Sequence, residues 1–491
     1  METVVGVCYH TGMYWLRRRI HPTWHLTAVA LGIVMGTWSA LIFHVNITMG
    51  LVVGSLLVIL ALWRQRRILL LAAFLGGSLM GAVRGSVSQA SLIAYRPLFG
   101  HQVTMTATVA DDADISASGA AHLHLTSVRY NGYHLPGQLF ATVRVGEGVQ
   151  RSDEVVIRGS MTQGFGSFAA SMTGDILSLK RPVPGDVALG IRNGFAEAIH
   201  RAISEPEASL GIGYLLGQKS ALPANLVEAL KVAGLTHIVV ASGYNLTILV
   251  RLSRRLFARI SKYLAAISGL GLIIGFIAIT GLSPSMTRAG LVAGLSLWAW
   301  YYGRRFHPVT LLGVAAATTV LINPSYVWGD IGWLLSFAAF AGVMIVAPVM
   351  SAYFFGGDKP PLVGQILMET IAAQIATAPI LIMAFHQFSI IAPLSNLLVL
   401  PFIPLAMLLV SIAGIGGLLV PGIATVIGWP AQILLGGMVK VIEWCANIPW
   451  AQSQPNWQWW ALVIYVLIVA GIVWYMKWRT KFNLYTTNLV Q

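Results

Sequence analysis

The sequence predicts a polytopic α-helical membrane protein of about twelve spans, with one small extracytoplasmic β-barrel domain of OB-like type. Three observations carry that expectation. Of 491 residues, 56% are hydrophobic and only 10% charged, whereas a soluble domain carries about a quarter charged. Apolar runs of the length that crosses a bilayer recur along the chain. One long stretch, residues 97–184, is too polar for lipid and has the alternation of short strands.

The apolar runs lie near 26–43, 47–63, 68–84, 238–250, 263–280, 286–302, 307–322, 331–350, 364–385, 394–417, 424–445 and 458–476. A formal charge of +14 would fit a nucleic-acid binder, so its distribution matters more than its sum. Basic clusters stand at Arg17, Arg18 and Arg19; Arg64, Arg66 and Arg67; Arg251, Arg254, Arg255, Arg259 and Lys262; Arg304 and Arg305; Lys359; and Lys477, Arg479 and Lys481. If the N-terminus is cytoplasmic and the spans alternate, every cluster falls on the cytoplasmic face, the positive-inside pattern. The excess charge is therefore a topology signal first. It places the chain in the cytoplasmic membrane as a multi-pass protein, with both termini cytoplasmic and the β-domain outside. Cys8 and Cys445 imply no disulfide framework and no cysteine-based metal site. The first 25 residues lack a small-residue cleavage site, so no cleaved signal peptide is expected.

Five units follow: a three-span unit (1–96), the β-domain (97–184), amphipathic and linker helices (185–236), the main transmembrane domain (237–480) and a tail (481–491). Strands are expected at 101–110, 121–130, 133–145, 153–162 and 175–180, with Asn131-Gly132 as a tight hairpin turn. In "DVALGIRNGFAEAIHRAIS" (186–204), Val187, Ile191, Phe195, Ile199 and Ile203 recur every four residues, the pattern of an amphipathic helix lying on the outer membrane surface. The segment 210–234 reads as a helical pair punctuated by Gly and Pro. Its "GYLLGQKS" is no P-loop, because Gln218 separates Gly217 from Lys219 and no strand precedes it.

Polar residues inside apolar spans cost about 2.5–3.5 kcal/mol when ionisable and normally face a cavity or a partner. The stretch "AGLTHIVVASGYNLTILVRLSRR" (233–255) sets His237, Ser242, Gly243 and Asn245 in the middle of a span. Further along stand Arg288 in "GLSPSMTRAG", Asp330 in "NPSYVWGDIGWLLSF", Glu369 and Gln374 in "METIAAQIATAP", and Asn396 in "PLSNLLVLPFIP". Structural roles compete with functional ones: Arg288 and Glu369 as a mutually satisfied ion pair, Asp330 as a helix cap, the glycines as close-packing residues. His122 and His124 share one strand face, a metal-binding pattern or plain packing. No catalytic residue, metal or other cofactor is expected.

These residues resemble the ComEC-type competence family, the inner-membrane channels for transforming DNA. "GLTHIVVASGYNLTIL" is similar to the family's Gly-x-x-His, apolar run and Ser-Gly. "PSMTRAG" resembles its Pro-Ser-x-x-Arg-Ala element, and "DIGWLLSFAAFAGV" its aromatic-x-Leu-Ser-Phe segment. "AQIATAPILIMAFHQFSIIAPLSNLLVLPFIP" is similar to its Gln-x-x-Thr-x-Pro to Asn-Leu-Leu stretch. Order and spacing agree from about residue 205 to 410. The sequence departs from the family at two points: Asn245 stands where the family commonly has His, and no His-x-His-x-Asp run marks a metallo-hydrolase-like domain.

The resemblance implies a channel that passes single-stranded DNA into the cytoplasm during natural transformation. His237, Ser242, Gly243, Asn245, Arg288, Asp330, Glu369, Gln374 and Asn396 are then expected to line its path. Gly243 would permit a helix break whose backbone N–H groups meet phosphates, Arg288 would be the fixed cation, and Asp330 and Glu369 would orient it. Partners implied are a DNA receptor, a cytoplasmic ATP-driven motor or strand-binding proteins, a separate nuclease if one is used, and the lipid bilayer. Stacking on Tyr130, Tyr133 or Phe140 would hold a strand on the β-domain. A small-solute secondary transporter would use the same broken helices, and a membrane-embedded hydrolase would pair Ser242 with His237.

Overall fold

The computed structural model describes residues 19–115, 120–144, 148–218, 222–239, 243–281, 284–304, 307–356 and 360–482. The described chain opens with α1 (Pro22–Ser39), α2 (Ile47–Arg64) and α3 (Leu69–Leu92). Glycine sets how closely α1 and α3 meet. A Cβ at Gly36 would collide with the Ser78 carbonyl and one at Gly81 with the Ile33 carbonyl, so the two backbones touch, as small residues allow between helices in lipid. The Thr37 hydroxyl uses that closeness, lying 2.8 Å from Ile33 O and 3.1 Å from Gly81 O.

Strands β1 (Gln102–Val109), β2 (Asp114–Ile115), β3 (Ala120–Tyr130), β4 (Tyr133–His134), β5 (Gln138–Arg144), β6 (Glu154–Gln163) and β7 (Phe168–Lys180) form one sheet in the order β1-β6-β7-β5-β3-β2. β4 is added on β3, and β1 also pairs β3, so the path of pairings returns to its start. One pair, β5 with β7, is parallel. Alternate residues point inward, and Leu123, Leu139, Val143, Ile157 and Met172 are at most 1% exposed. The Asn131-Gly132 expectation holds: φ is +49° and +84° there, and Tyr130 faces Tyr133 across the turn. The last strand is longer than expected and starts at Phe168. The small residues of "FAASMTG" carry little strand signal, and pairing to both β5 and β6 recruits them.

Next come α4 (Val187–Ala202), α5 (Glu207–Leu216), α6 (Ala224–Val232), α7 (Thr236–Val239), α8 (Gly243–Phe257), α9 (Lys262–Thr280), α10 (Pro284–Tyr301) and α11 (Pro308–Ile322). They are followed by α12 (Ser325–Gly329), α13 (Ile331–Ala341), α14 (Ala347–Phe355), α15 (Leu362–Phe385), α16 (Ala392–Val399), α17 (Ile403–Leu419), α18 (Ala424–Ala446) and α19 (Trp459–Thr480). The largest apolar cluster joins α4–α7 to α16–α18, around Ile199, Leu210, Leu230, Ile403 and Leu435. A second cluster joins α8, α9 and α10 through Leu246, Ile273, Met286 and Ala289.

The amphipathic helix α4 departs from its expected place on the membrane surface. Its C-terminal half is sunk into the bundle: Ile199 is fully buried, and glycines of α17 and α18 receive it, Gly417 at the Ala198 carbonyl and Gly428 at that of Ala202. Val187 and Ile191, by contrast, are 66% and 59% exposed.

Among the described residues, eight helical stretches are long and apolar enough to cross a bilayer: 47–64, 69–98, 262–280, 331–355, 362–385, 392–419, 421–446 and 459–480. The expected twelve are not reached by these criteria. The other four fall on α1, which carries His25 and three threonines; on α7 and α8, each shorter than a span; on α10, which carries Arg288; and on α11, of 15 residues. The chain remains a multi-pass membrane protein with a β-sheet domain.

Candidate functional site

The segment leading into α8 is tied down through its backbone. The last carbonyls of α6 have no partner within their own helix, and they take hydroxyls from a distant part of the chain. Ser389 Oγ donates to Val232 O at 2.8 Å, and Ser395 Oγ to Ala233 O at 2.6 Å. Gln374 in turn donates to Ser389 O at 2.5 Å. Gly234 adopts φ +73° against Ala392 and Ser389, where a Cβ would come within 2.7 Å of the Ala392 methyl. Asn245, fully buried, donates to Tyr214 O at 2.9 Å and so closes the last turn of α5. Gln374 and Asn245, both expected to line a path, act here as clamps on backbone. Asn396 donates to Ala392 O at 2.8 Å within its own helix, and its Oδ1 is buried without an acceptor's partner among the described residues.

What this scaffold positions is the start of α8 against α10. A Cβ built on Gly243 would lie 3.2 Å from the Ala289 Cβ and 3.6 Å from Arg288 Nη2. With no side chain at Gly243 the first turn of α8 packs closely on Ala289, and Arg288 Nη2 stands beside it at contact distance. On its other side Arg288 stands 5.9 Å from the Phe337 ring centroid and 5.5 Å from that of Phe340, within cation–π range. Its Nε is buried and has no acceptor, and among the described residues no carboxylate lies within 4.0 Å of it.

The proposed pairing of Arg288 with acids is therefore corrected. Asp330 is the N-cap of α13, accepting from Trp333 N at 2.7 Å, the ordinary use of Asp at that position. Glu369 accepts from Gln365 Nε2 at 2.8 Å, one turn earlier on α15, and lies beyond ion-pair distance of Arg288. His237 sits exposed on α7, and Ser242 lies outside the described residues. Gly243 and Arg288 come together; Asp330, Gln374 and Asn396 are engaged elsewhere. Sequence reasoning missed Phe337 and Phe340. The two phenylalanines stand three apart in "LLSFAAF", so one helix face carries both, a signal that was legible.

A second polar region joins the β-domain to the helices. Arg151, 8% exposed, donates through Nε to Asp186 at 2.8 Å and through Nη2 and Nη1 to Ala278 O and Ile279 O at 3.0 and 3.3 Å. It thereby fills the C-terminal carbonyls of α9, where a cation is favoured. Arg192 of α4, 4% exposed, grips Asp112 bidentately at 2.6 and 2.8 Å. Burial alone would push the Asp186 carboxyl up; the hydrogen bonds from Arg151, Leu189 N–H and Ser152 outweigh it together and hold its pKa at about 2.

Outside the sheet's core, the rings of Phe140, Phe165 and Phe168 meet pairwise at 5.0–5.6 Å. His122 stacks on Phe140 at 5.3 Å, and His124 lies 5.0 Å from Phe168 while its Nδ1 is 3.3 Å from Asp111. None of the five is buried, and Phe165 is 54% exposed. Phe140 is thus an outward-facing residue of β5. Tyr130 is half-buried beside the core, and Tyr133, at 78% exposed, stands apart on the hairpin.

Residues 214–480 match the family model described as Competence protein. The chain is 29% identical over 214 residues to ComE operon protein 3 of Bacillus subtilis (strain 168). That match covers 43% of this chain and 27% of the relative's length. No solved structure matches. The matched region holds α8, α10 and α13, the helices that carry Gly243, Arg288 and the two phenylalanines. With more than half of its length inside the family model, the chain belongs to the Competence protein family and is a ComEC-type competence protein.

Proposed function

We propose that the chain forms a channel that passes single-stranded DNA across the cytoplasmic membrane during natural transformation. The carrying observation is the junction of Gly243 with Arg288: a half-buried guanidinium in the helical domain, its Nε buried, flanked by two aromatic rings and matched by no carboxylate among the described residues. A partly desolvated cation without a counter-ion is costly, and a passing phosphate would supply the missing charge. Weak, repeated contacts of this kind suit conduction better than tight binding.

In this reading the β-domain lies outside and both termini lie in the cytoplasm, by the positive-inside rule. The ring of strand pairings with its single parallel pair supports an OB-like barrel. Phe140, Phe165 and Phe168 would then stack bases of the incoming strand. The channel carries out no chemistry itself. Soluble partners draw the strand inward: a receptor outside, and an ATP-driven motor or strand-binding proteins within, with a separate nuclease if one is used.

The test is uptake of labelled single-stranded DNA by cells carrying the wild type, Arg288→Ala or a deletion. Arg288→Ala should lower uptake by about ten- to a hundredfold, the worth of a hydrogen bond to a charged group, at unchanged membrane abundance. Undiminished uptake in that variant would remove Arg288 from the path. Undiminished uptake in the deletion would end the channel reading, and uptake of a small solute in place of DNA would favour a secondary transporter.

A further inference from the structure

The arginines that begin at residue 251 read from sequence as topology anchors, yet an anchor should reach outward to headgroups, and one of these turns inward. Arg254 lies over the Trp300 ring at 4.9 Å, joining α8 to α10, and Lys262 Nζ stands 5.7 Å from the same ring. Around that contact is a cleft of about 670 Å³ lined by Ile248, Arg251, Leu252, Arg254, Arg255, Ala258 and Trp300, within the size range of small-ligand sites. Among the described residues, no carboxylate comes within ion-pair distance of any of the three arginines.

The cleft is continuous with the face of α8 that leaves the Gly243–Arg288 junction. Tyr244, Ile248, Arg251 and Arg255 recur at spacings of four, three and four, one stripe of a helix. The opposite residues Asn245, Leu246 and Ser253 are buried against neighbours, whereas Tyr244 is 46% exposed and Arg251 and Arg255 are exposed. At 1.5 Å per residue the stripe carries Arg251 and Arg255 about 12 and 18 Å along the axis from Gly243. The stripe begins beside Arg288 and ends in two exposed cations, Arg251 and Arg255, with Arg254 on the adjoining flank against Trp300.

We infer that Arg251, Arg254 and Arg255, with Trp300, form a phosphodiester-binding site that receives the backbone of the single strand after it passes Arg288. The inference rests on the channel reading. The aliphatic and indole surfaces of the cleft take the sugar and base edges, and the guanidinium groups supply bidentate donors to phosphate oxygens. Stacking on Trp300 holds Arg254 in place, so little side-chain freedom is lost on binding.

The experiment uses the full chain in nanodiscs of phosphatidylcholine, with binding of a fluorescent oligothymidylate followed against salt. The Arg251→Gln/Arg255→Gln double variant should bind about tenfold more weakly, and the slope of log affinity against log salt should fall by about 1.4, since each phosphate contact on a single strand contributes about 0.7. Arg251→Lys/Arg255→Lys should recover most of the slope. An unchanged slope and affinity in the glutamine double variant, with wild-type binding intact, would overturn the site while leaving the channel reading standing. Absence of oligonucleotide binding and of DNA uptake in the wild type would overturn both. A further arm replaces part of the lipid with phosphatidylglycerol. If the glutamine variant then loses bound anionic lipid but keeps its oligonucleotide slope, the cleft is a headgroup site and the inference is wrong.

Discussion

Two sets of arginines stand in opposite circumstances. At the seam between the β-domain and the helices, Arg151 and Arg192 are nearly buried, and their guanidinium groups meet Asp186 and Asp112. Arg84 follows the same habit nearby, donating to Leu321 O and Ile322 O at 2.9 and 3.1 Å to close the end of α11. Inside the helical domain Arg288 has aromatic faces and, among the described residues, no acid within ion-pair distance, and the same holds for the arginines of α8. The difference separates two jobs for one side chain. A seam must be satisfied within the protein to hold two parts together, whereas a path for a polyanion must leave its cations unsatisfied until the ligand arrives.

The largest test of that contrast is Gly243→Val. Its side chain would enter the space shared by Ala289 and Arg288 Nη2, so DNA uptake should fall at least as far as with Arg288→Ala, read as transformants per cell at equal membrane abundance. An unaffected Gly243→Val strain would mean that the close approach is dispensable. At the seam the expected effect is on stability. Arg192→Ala leaves Asp112 without its bidentate partner, and the cost should be about 2–3 kcal/mol, discounted from a fully buried pair because Asp112 is 32% exposed. Thermal unfolding in detergent measures it, and the Arg192→Met/Asp112→Leu pair should regain much of the loss.

A smaller effect comes from pH. Asp186 has a folded pKa of about 2, below its ordinary value of 3.8. Its contribution is therefore fully present above about pH 5 and is lost as pH falls through 4 towards 2, when the carboxylate that holds Arg151 is protonated. Proteolytic release of the β-domain should accelerate over that window, and Asp186→Asn should flatten the response. The smallest is Gly132→Ala. At φ +84° the added Cβ is strained, at about 1 kcal/mol, seen as a slight fall in the melting temperature with uptake unchanged.

Much of this was legible because it depends on local chemistry. Asn131-Gly132 needs left-handed φ at both positions, and few other dipeptides supply it. The sheet strands followed their alternation, except that β7 began early, since small residues join a strand only when two neighbours pair with them. In the site, Gly243 and Arg288 were found as residues out of place in an apolar run. Their partners were not found, because pairing across 45 residues of sequence depends on how α8 leans on α10. Glu369 was assigned to Arg288 on charge alone; one turn of α15 offered it Gln365 instead.

The sequence by itself determined the class of protein, the presence of a β-domain and the polar residues inside the apolar runs. Each of these follows from the cost of taking a polar group out of water, which any chain must meet locally. Only the tertiary structure decided which polar residues were spent on holding backbone and which were left open. Asn245 closes a carbonyl at the end of α5 and Gln374 one at Ser389, α4 sinks between the glycines of α17 and α18, and Arg288 has no acid at ion-pair distance among the described residues. Those outcomes depend on which groups come within about 3 Å of one another, and that is a property of packing rather than of composition.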